Sequence, residues 1–255
     1  MSLPQGVEMS HLILKRFVSP GDFVLDATCG NGHDTVFLAG LVGDEGRVLA
    51  VDIQQEAVSK TRSLLEEKNL SSRARVIKGD HSKIQNLIGK ELTGKMDKDY
   101  GKTTKENKRM DKERIDKDNI DNKDNKDNID KAVDNEENKD KKANKTEKET
   151  DKEFSRKKVI KAAIFNLGFL PGSEKELITT AETTLPALKQ SLELIRAGGV
   201  LVIVAYTGHQ GGKEECQQVL DWAGGLNYQD YNVLHHKFIN QPTDPPQIIA
   251  VEKRI

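Results

Sequence analysis

Short apolar runs alternate with helix-patterned segments along this chain, and that alternation restricts the fold more than any other feature. Phe23–Leu25, Arg47–Val51, Arg75–Lys78, Val159–Phe165 and Val200–Tyr206 read as buried strands. Helical spacing fills 7–18, 34–41, 55–69, the stretch up to Ile88, 179–196 and 212–223. Pro186 is expected to break the fifth of these or to start a second segment, and Gly198-Gly199 to stop it. Strands alternating with helices make a parallel sheet through right-handed crossovers. Tyr231–Ile239 and Gln247–Lys253 are joined by Asn240–Pro246 with no helix between them, which requires an antiparallel hairpin. The expectation is an α/β chain with a seven-stranded sheet, mostly parallel, whose last strand is antiparallel.

The alternation is interrupted once. From Lys95 to Lys158 the sequence holds 21 basic and 19 acidic residues, so 40 of 64 are charged. Pieces such as DKDN and DNKDN recur there. Such a segment buries too little apolar surface to offset its ordering entropy. We expect a single domain over 1–255 interrupted by a disordered low-complexity insertion at 95–157. A solvated, fraying helix is the other reading, because the two signs are well mixed. The remaining 191 residues carry 19 basic and 22 acidic side chains, and this balance demands no nucleic-acid partner.

Other classes fall away. No apolar run reaches the ~20 residues that span a bilayer. MSLPQGVEMSHLILKRF lacks a basic leader ahead of an apolar core, so a cytoplasmic location is expected. Cys29 and Cys216 build neither a disulfide framework nor a zinc site, and no metal is expected.

The chemistry concentrates at strand ends. The first strand runs into Asp26-Ala27-Thr28-Cys29-Gly30-Asn31-Gly32-His33-Asp34. Ligands of open α/β sheets bind at the carboxyl ends of the strands. Gly30 and Gly32 would let backbone approach a ligand closely, or would only form a tight turn. A dinucleotide fingerprint wants glycine where Thr35 stands, and Asp26 suits an ammonium better than a pyrophosphate. Asp52 ends the second strand, where acids hydrogen-bond ribose hydroxyls. Asp80 ends the third and could accept from an adenine amino group. Both could instead be helix N-caps. Three carboxylates at three strand ends fit a cationic, ribose-bearing adenosyl ligand, S-adenosylmethionine.

DATCGNGHDT, VDIQ, NLGFLPG, AYTGHQGGKEE and FINQPTDPP resemble the bacterial family first described as ribosomal RNA methylases, whose characterised members are tRNA 5-aminomethyl-2-thiouridine methyltransferases. The resemblance covers about 9–92 and 159–254. It implies a Rossmann-like class I methyltransferase sheet. It also implies methylation of the exocyclic amine on the wobble uridine, giving 5-methylaminomethyl-2-thiouridine. It places the cofactor on Asn31, Asp34, Asp52, Gln54 and the Asp80-His81 pair, with Asp26, Gly30 and Gly32 supporting the loop. It turns Asn166 toward the transferred methyl. The partner it implies is the tRNA anticodon stem-loop, with no membrane, and it leaves monomer and homodimer open.

An alkylamine is mostly protonated near neutrality and must lose a proton before it attacks. His209 and Asp244 are the expected proton acceptors or amine orienters, although His209 could serve only its loop. Asn240 and Gln241 would lie over the substrate side, unless the NQPTDPP loop is merely a rigid proline turn. Phe169, Tyr206 and Phe238 could stack on an extruded base or belong to the core. Lys15, Arg16, Lys213, His235, His236 and Lys237 could meet phosphates. The alternatives are a methyltransferase acting on rRNA or a small amine, a cofactor-binding protein without catalysis, and, more distantly, a nicotinamide oxidoreductase.

Overall fold

In the computed structural model, which describes residues 3–92, 159–168, 178–241 and 243–255, the apolar runs become strands. The expected insertion at 95–157 and Phe169 lie outside the described residues. The chain divides into two units, Met1–Gln85 with Ser155–Ile255, and Asn86–Phe154. Of the second, residues 86–92 are described. The sheet and the site belong to the first.

Seven strands form one sheet: β1 (Phe23–Asp26), β2 (Arg47–Asp52), β3 (Ala74–Lys78), β4 (Ile160–Leu167), β5 (Ile195–Ala205), β6 (Tyr231–His236) and β7 (Gln247–Lys253). Their order is β3-β2-β1-β4-β5-β7-β6. The pairs from β3 to β5 are parallel, and β7 runs antiparallel to both β5 and β6. Asp26 pairs with Ala50 on one side and Ile164 on the other. The chain winds outward from β1 to β3, then returns to place β4 on β1's other side. That reversal opens a crevice at the carboxyl ends of β1 and β4.

Among the described residues the helices are α1 (Gly6–Phe17), α2 (His33–Val42), α3 (Gln55–Glu67), α4 (Ile84–Leu92), α5 (Ala181–Leu194) and α6 (Gly212–Gly224), with one 3-10 turn at His81–Lys83. The central strands are buried along their length: Val48 to Val51, Ala162 to Phe165 and Val200 to Ala205 are at most 1% exposed. Each Val, Leu, Ile or Phe among them stabilises by about 1.5–3 kcal/mol on leaving water.

Three boundaries differ from expectation. Gly198-Gly199 do not stop a helix. α5 ends at Leu194 and β5 begins at once, with a register shift opposite Ile160–Ala162 and Gly198 at φ +70°. Ile195 and Val200 pair with Ile160 and Ala162, so β5 takes three more residues than β4 across the shift, a bulge that the positive φ of Gly198 permits. Pro186 does not break α5; the helix continues through it because Ala187, Leu188, Ser191 and Leu192 bury the same face. The sixth strand ends at His236, three residues earlier than its sequence suggests.

Candidate active site

A cavity of about 540 Å³ opens at the carboxyl ends of β1 to β4. Ala27 to Asn31, His33 and Asp34 line it from the first loop and the start of α2. Asp52, Ile53 and Gln54 line it from β2, Asp80 and His81 from β3, Asn166 and Gly168 from β4, and Tyr206 from β5. Val7 of α1 and Ile178, Thr179, Thr180 and Thr183 close the rest of the described wall. Its size is within the range of small-ligand pockets.

The three strand-end acids take different places. Asp26 is fully buried and does not line the cavity. It accepts from Thr35 Oγ1 at 2.6 Å and from the Thr28 amide at 3.3 Å, so it fastens the loop from beneath. Burial, then the charge of Asp34, pushes its carboxyl up to about 8. Asp52 lines the cavity and accepts from the amides of Gly30 and Gln54, each at 2.9 Å. Burial raises its pKa although these bonds oppose the shift. The N-cap of α3 is Gln54, not Asp52. Asp80 does cap, accepting from the Ser82 amide at 2.8 Å at the start of the 3-10 turn, and it lines the cavity as well. Burial would raise Asp80, but the bonds from Ser82 and the nearby His81 and Lys83 carry it below the usual carboxylate range.

His81 stands beside Asp80 with its ring edge on Phe165. Burial lowers its pKa against the pull of Asp80 and Asp52, which favours the neutral ring. Its Nε2 is buried and has no hydrogen-bond partner among the described residues. A buried polar atom left open at a cavity wall is a place for a ligand's polar group.

Asp34, in the first turn of α2, holds two partners. Its Oδ1 lies 2.5 Å from His11 Nε2 on α1, and its Oδ2 accepts from Asn166 Nδ2 at 2.7 Å. The Asn166 amide donates to Thr28 Oγ1 at 2.7 Å, which ties β4 to the first loop. Of the two glycines, Gly30 lines the cavity. Gly32 serves helix packing instead: at φ +87° a Cβ there would stand 2.9 Å from the Thr61 backbone.

Several expected residues lie elsewhere. His209 is outside the cavity lining, packed where a Cβ on Gly212 would come within 2.8 Å of its ring, and its Nδ1 is 3.0 Å from the Gln210 carbonyl. Asp244 is exposed and pairs with Lys213 at 2.7 Å, which holds its carboxyl below the ordinary value. Asn240 and Gln241 are exposed and do not line the cavity, though Pro246 of the same loop packs against Gly6, next to cavity-lining Val7. His235 bonds to Gln247, and His236 turns its edge to Phe238.

Sequence reasoning missed His11 and the threonine wall. Thr179 Oγ1 donates to Glu215 Oε2 at 2.8 Å and receives the Gly168 amide at 2.9 Å, while Thr184 Oγ1 donates to Glu215 Oε1 at 2.7 Å. Glu215 is 3% exposed. The run Thr179-Thr180 followed by Thr183-Thr184 was a visible signal. Cys29 lines the cavity too, but burial and the charge of Asp26 push its thiol well above the ordinary range, which disfavours the thiolate.

Sheet order, crevice and acids together suit one ligand, S-adenosylmethionine, and the fold and cavity define a class I S-adenosylmethionine-dependent methyltransferase. Comparison with known proteins agrees. The model of the family described as "Putative rRNA methylase" matches residues 115–252, and a general methyltransferase-domain model matches 24–90. The chain belongs to that putative rRNA methylase family. It is 28% identical over 254 residues to the chloroplastic tRNA (mnm(5)s(2)U34)-methyltransferase of Arabidopsis thaliana, spanning 98% of this chain and 70% of that one. The structure of a putative rRNA-methylase from Clostridium thermocellum is 32% identical, with a TM-score of 0.68 over 99% of this chain and all of that one. A putative methyltransferase from Streptococcus mutans, solved in complex with SAH, is 28% identical, with a TM-score of 0.63 over 99% of both chains. No helix among the described residues is long and apolar enough to cross a membrane.

Proposed function

We propose that this methyltransferase acts on tRNA, methylating the 5-aminomethyl group of the wobble (2-thio)uridine to give 5-methylaminomethyl-2-thiouridine. The observation that carries the reading is the polar corner where Asp34 and Asn166 meet at 2.7 Å on the cavity wall; Asp34, which the resemblance put on the cofactor, is read here as a substrate residue instead. A carboxylate beside an amide carbonyl suits an alkylammonium, whereas a ring carbon or ribose hydroxyl has no need of the negative charge. The likeness to the Arabidopsis protein, over 98% of this chain and 70% of that one, supports the same substrate.

S-adenosylmethionine, when bound, supplies a methyl group already activated on a sulfonium. The chain's own task is to position and desolvate. Asp52 would receive the ribose hydroxyls, and Asp80 with His81 the adenine edge. Gly30, Asn31 and Gln54 would shape the loop around the nucleoside. Asp26 would hold that loop through Thr28 and Thr35 without touching the ligand. Tyr206, 36% exposed at the cavity, would cover the target base.

The test uses purified protein, labelled S-adenosylmethionine and tRNA carrying 5-aminomethyl-2-thiouridine. The expected result is label on that nucleoside, released as the methylaminomethyl form on digestion. Label on another nucleoside, or none, would overturn the reading. A second reading, methylation of rRNA, is favoured by the description of the matching family. Label confined to rRNA in a mixed pool would establish it.

A further inference from the structure

The one carboxylate that lines the cavity beside β4 is backed by a second titratable side chain. Asp34 Oδ1 lies 2.5 Å from His11 Nε2. The His11 ring is stacked on Phe37 at 3.8 Å with the planes 1° apart. Stacking and the contact with Asp34 together fix the imidazole in one orientation. A quarter of the His11 side chain remains exposed, so a proton arriving there has a route out.

The other acids do not compete for this place. Asp26 is sealed beneath the loop, and Asp52 and Asp80 stand at the ends of β2 and β3, on the far side of β1 from β4. His209 and Asp244 lie outside the cavity lining. The ionisable groups that face the pair are Asp26 from β1 and Tyr206 from the end of β5, whose phenol is raised by burial and then by Asp34. Glu8 and Lys15 lie one turn away from His11 on α1 itself. The Asn166 amide nitrogen is committed to Asp34, which leaves its carbonyl oxygen as an acceptor with no donor among the described residues.

We propose that Asp34 and His11 form the proton outlet for the substrate amine. The inference rests on the amine substrate proposed above. The incoming R–CH2–NH3⁺ would bond to Asp34 and to the Asn166 carbonyl. The 2.5 Å contact holds one shared proton, with the second ring proton on His11 Nδ1. As the ammonium gives a proton to Asp34, the shared proton settles on Nε2 and the ring becomes an imidazolium whose Nδ1 proton is free to leave. The freed lone pair then forms the N–C bond to the methyl as the C–S bond breaks with its electrons to sulfur. The product is R–CH2–NH2⁺–CH3, and the imidazolium releases its proton to water. His11 acts through Asp34 and is a positioning residue in that sense. Its removal should therefore lower kcat more than binding.

The experiment takes wild type, His11→Ala, His11→Gln and Asp34→Asn, each tested for S-adenosylmethionine affinity by calorimetry. Turnover is measured on tRNA bearing 5-aminomethyl-2-thiouridine. Glutamine can donate to Asp34 but cannot carry a proton. Both His11 variants are expected to lose about 100-fold in kcat, the scale of a general base, with cofactor affinity within ~3-fold of wild type. Added imidazole should restore part of the His11→Ala rate and none of the Asp34→Asn rate. Asp34→Asn should also lose its preference for amine-bearing RNA over RNA carrying a 5-methyl group. A wild-type rate in His11→Gln would overturn the outlet and leave His11 as a prop for Asp34. Cofactor affinity that falls in step with kcat would overturn it as well. Wild type silent on the amine but active on another nucleoside would sink the substrate reading, and the outlet with it.

Discussion

Asp26 and Asp52 end adjacent strands and are both raised by burial, yet one is sealed under the loop and the other opens on the cavity. The difference gives each its own test. The folded chain holds the Asp26 proton up to about pH 8, whereas the unfolded chain releases it near the ordinary 3.8. The unfolded state therefore binds fewer protons between these values, and stability falls as pH rises through them. Asp26→Asn keeps the shape and removes the titration. Its Tm relative to wild type should climb from pH 5 to pH 9, and a constant difference would contradict the assignment. Asp52→Ala takes away the acceptor shared by the Gly30 and Gln54 amides. S-adenosylmethionine affinity should fall at least ~10-fold, about 1.4 kcal/mol, as read by calorimetry. The strand-end acids were legible because a lone carboxylate after an apolar run is unusual. His11 was not legible, because its partner lies 23 residues away and periodicity shows only a helix position. Of the two residues singled out by type, His209 does not line the cavity but stands at its edge, its Nε2 3.5 Å from where a Cβ on Gly168 would sit, and Asp244 is paired with an exposed lysine.

At the scale of elements, α5 and α6 are joined by a buried carboxylate. Glu215 on α6 receives Thr179 and Thr184, and Thr179 also receives the amide of Gly168 at the end of β4. A carboxyl this deep is tolerated only while its hydrogen-bond partners remain. Thr184→Val keeps the volume and removes one donor, so stability should drop by about 1–3 kcal/mol. Calorimetry should show Tm lower by several degrees, with a further loss in the double variant with Thr179→Val. Equal Tm for Thr184→Val and wild type would mean that Glu215 finds another donor. Strand and helix identities were readable from apolar spacing throughout. What misled was punctuation. Gly198 marks a strand irregularity instead of a helix end, and Pro186 sits inside α5, because the buried faces of both elements extend past these residues and outweigh their local preference.

For the whole molecule, the question is where an RNA-binding field would come from. The charged run 95–158 holds 21 basic and 19 acidic residues, and the other 191 residues hold 19 and 22. Neither part is a cationic body, so affinity for tRNA would have to come from local basic patches. Lys213 is paired with Asp244, which weakens one candidate. Lys15 and Arg16 are exposed in the last turn of α1, at the end away from cavity-lining Val7, where they would meet a part of the tRNA outside the cavity. Mixed charges at nearly zero net sum release few counterions on meeting phosphate. Deleting 95–156 should therefore leave kcat/KM on tRNA within ~3-fold and leave the slope of log affinity against log salt unchanged. Replacing Lys15 and Arg16 with glutamine should shallow that slope by about 1–2 while cofactor affinity stays as in wild type. Filter binding across a salt series measures both variants. A slope that collapses on deletion, with Lys15 and Arg16 silent, would move the RNA-binding role into the charged run. It would also show that local charge order there matters more than its near-zero sum.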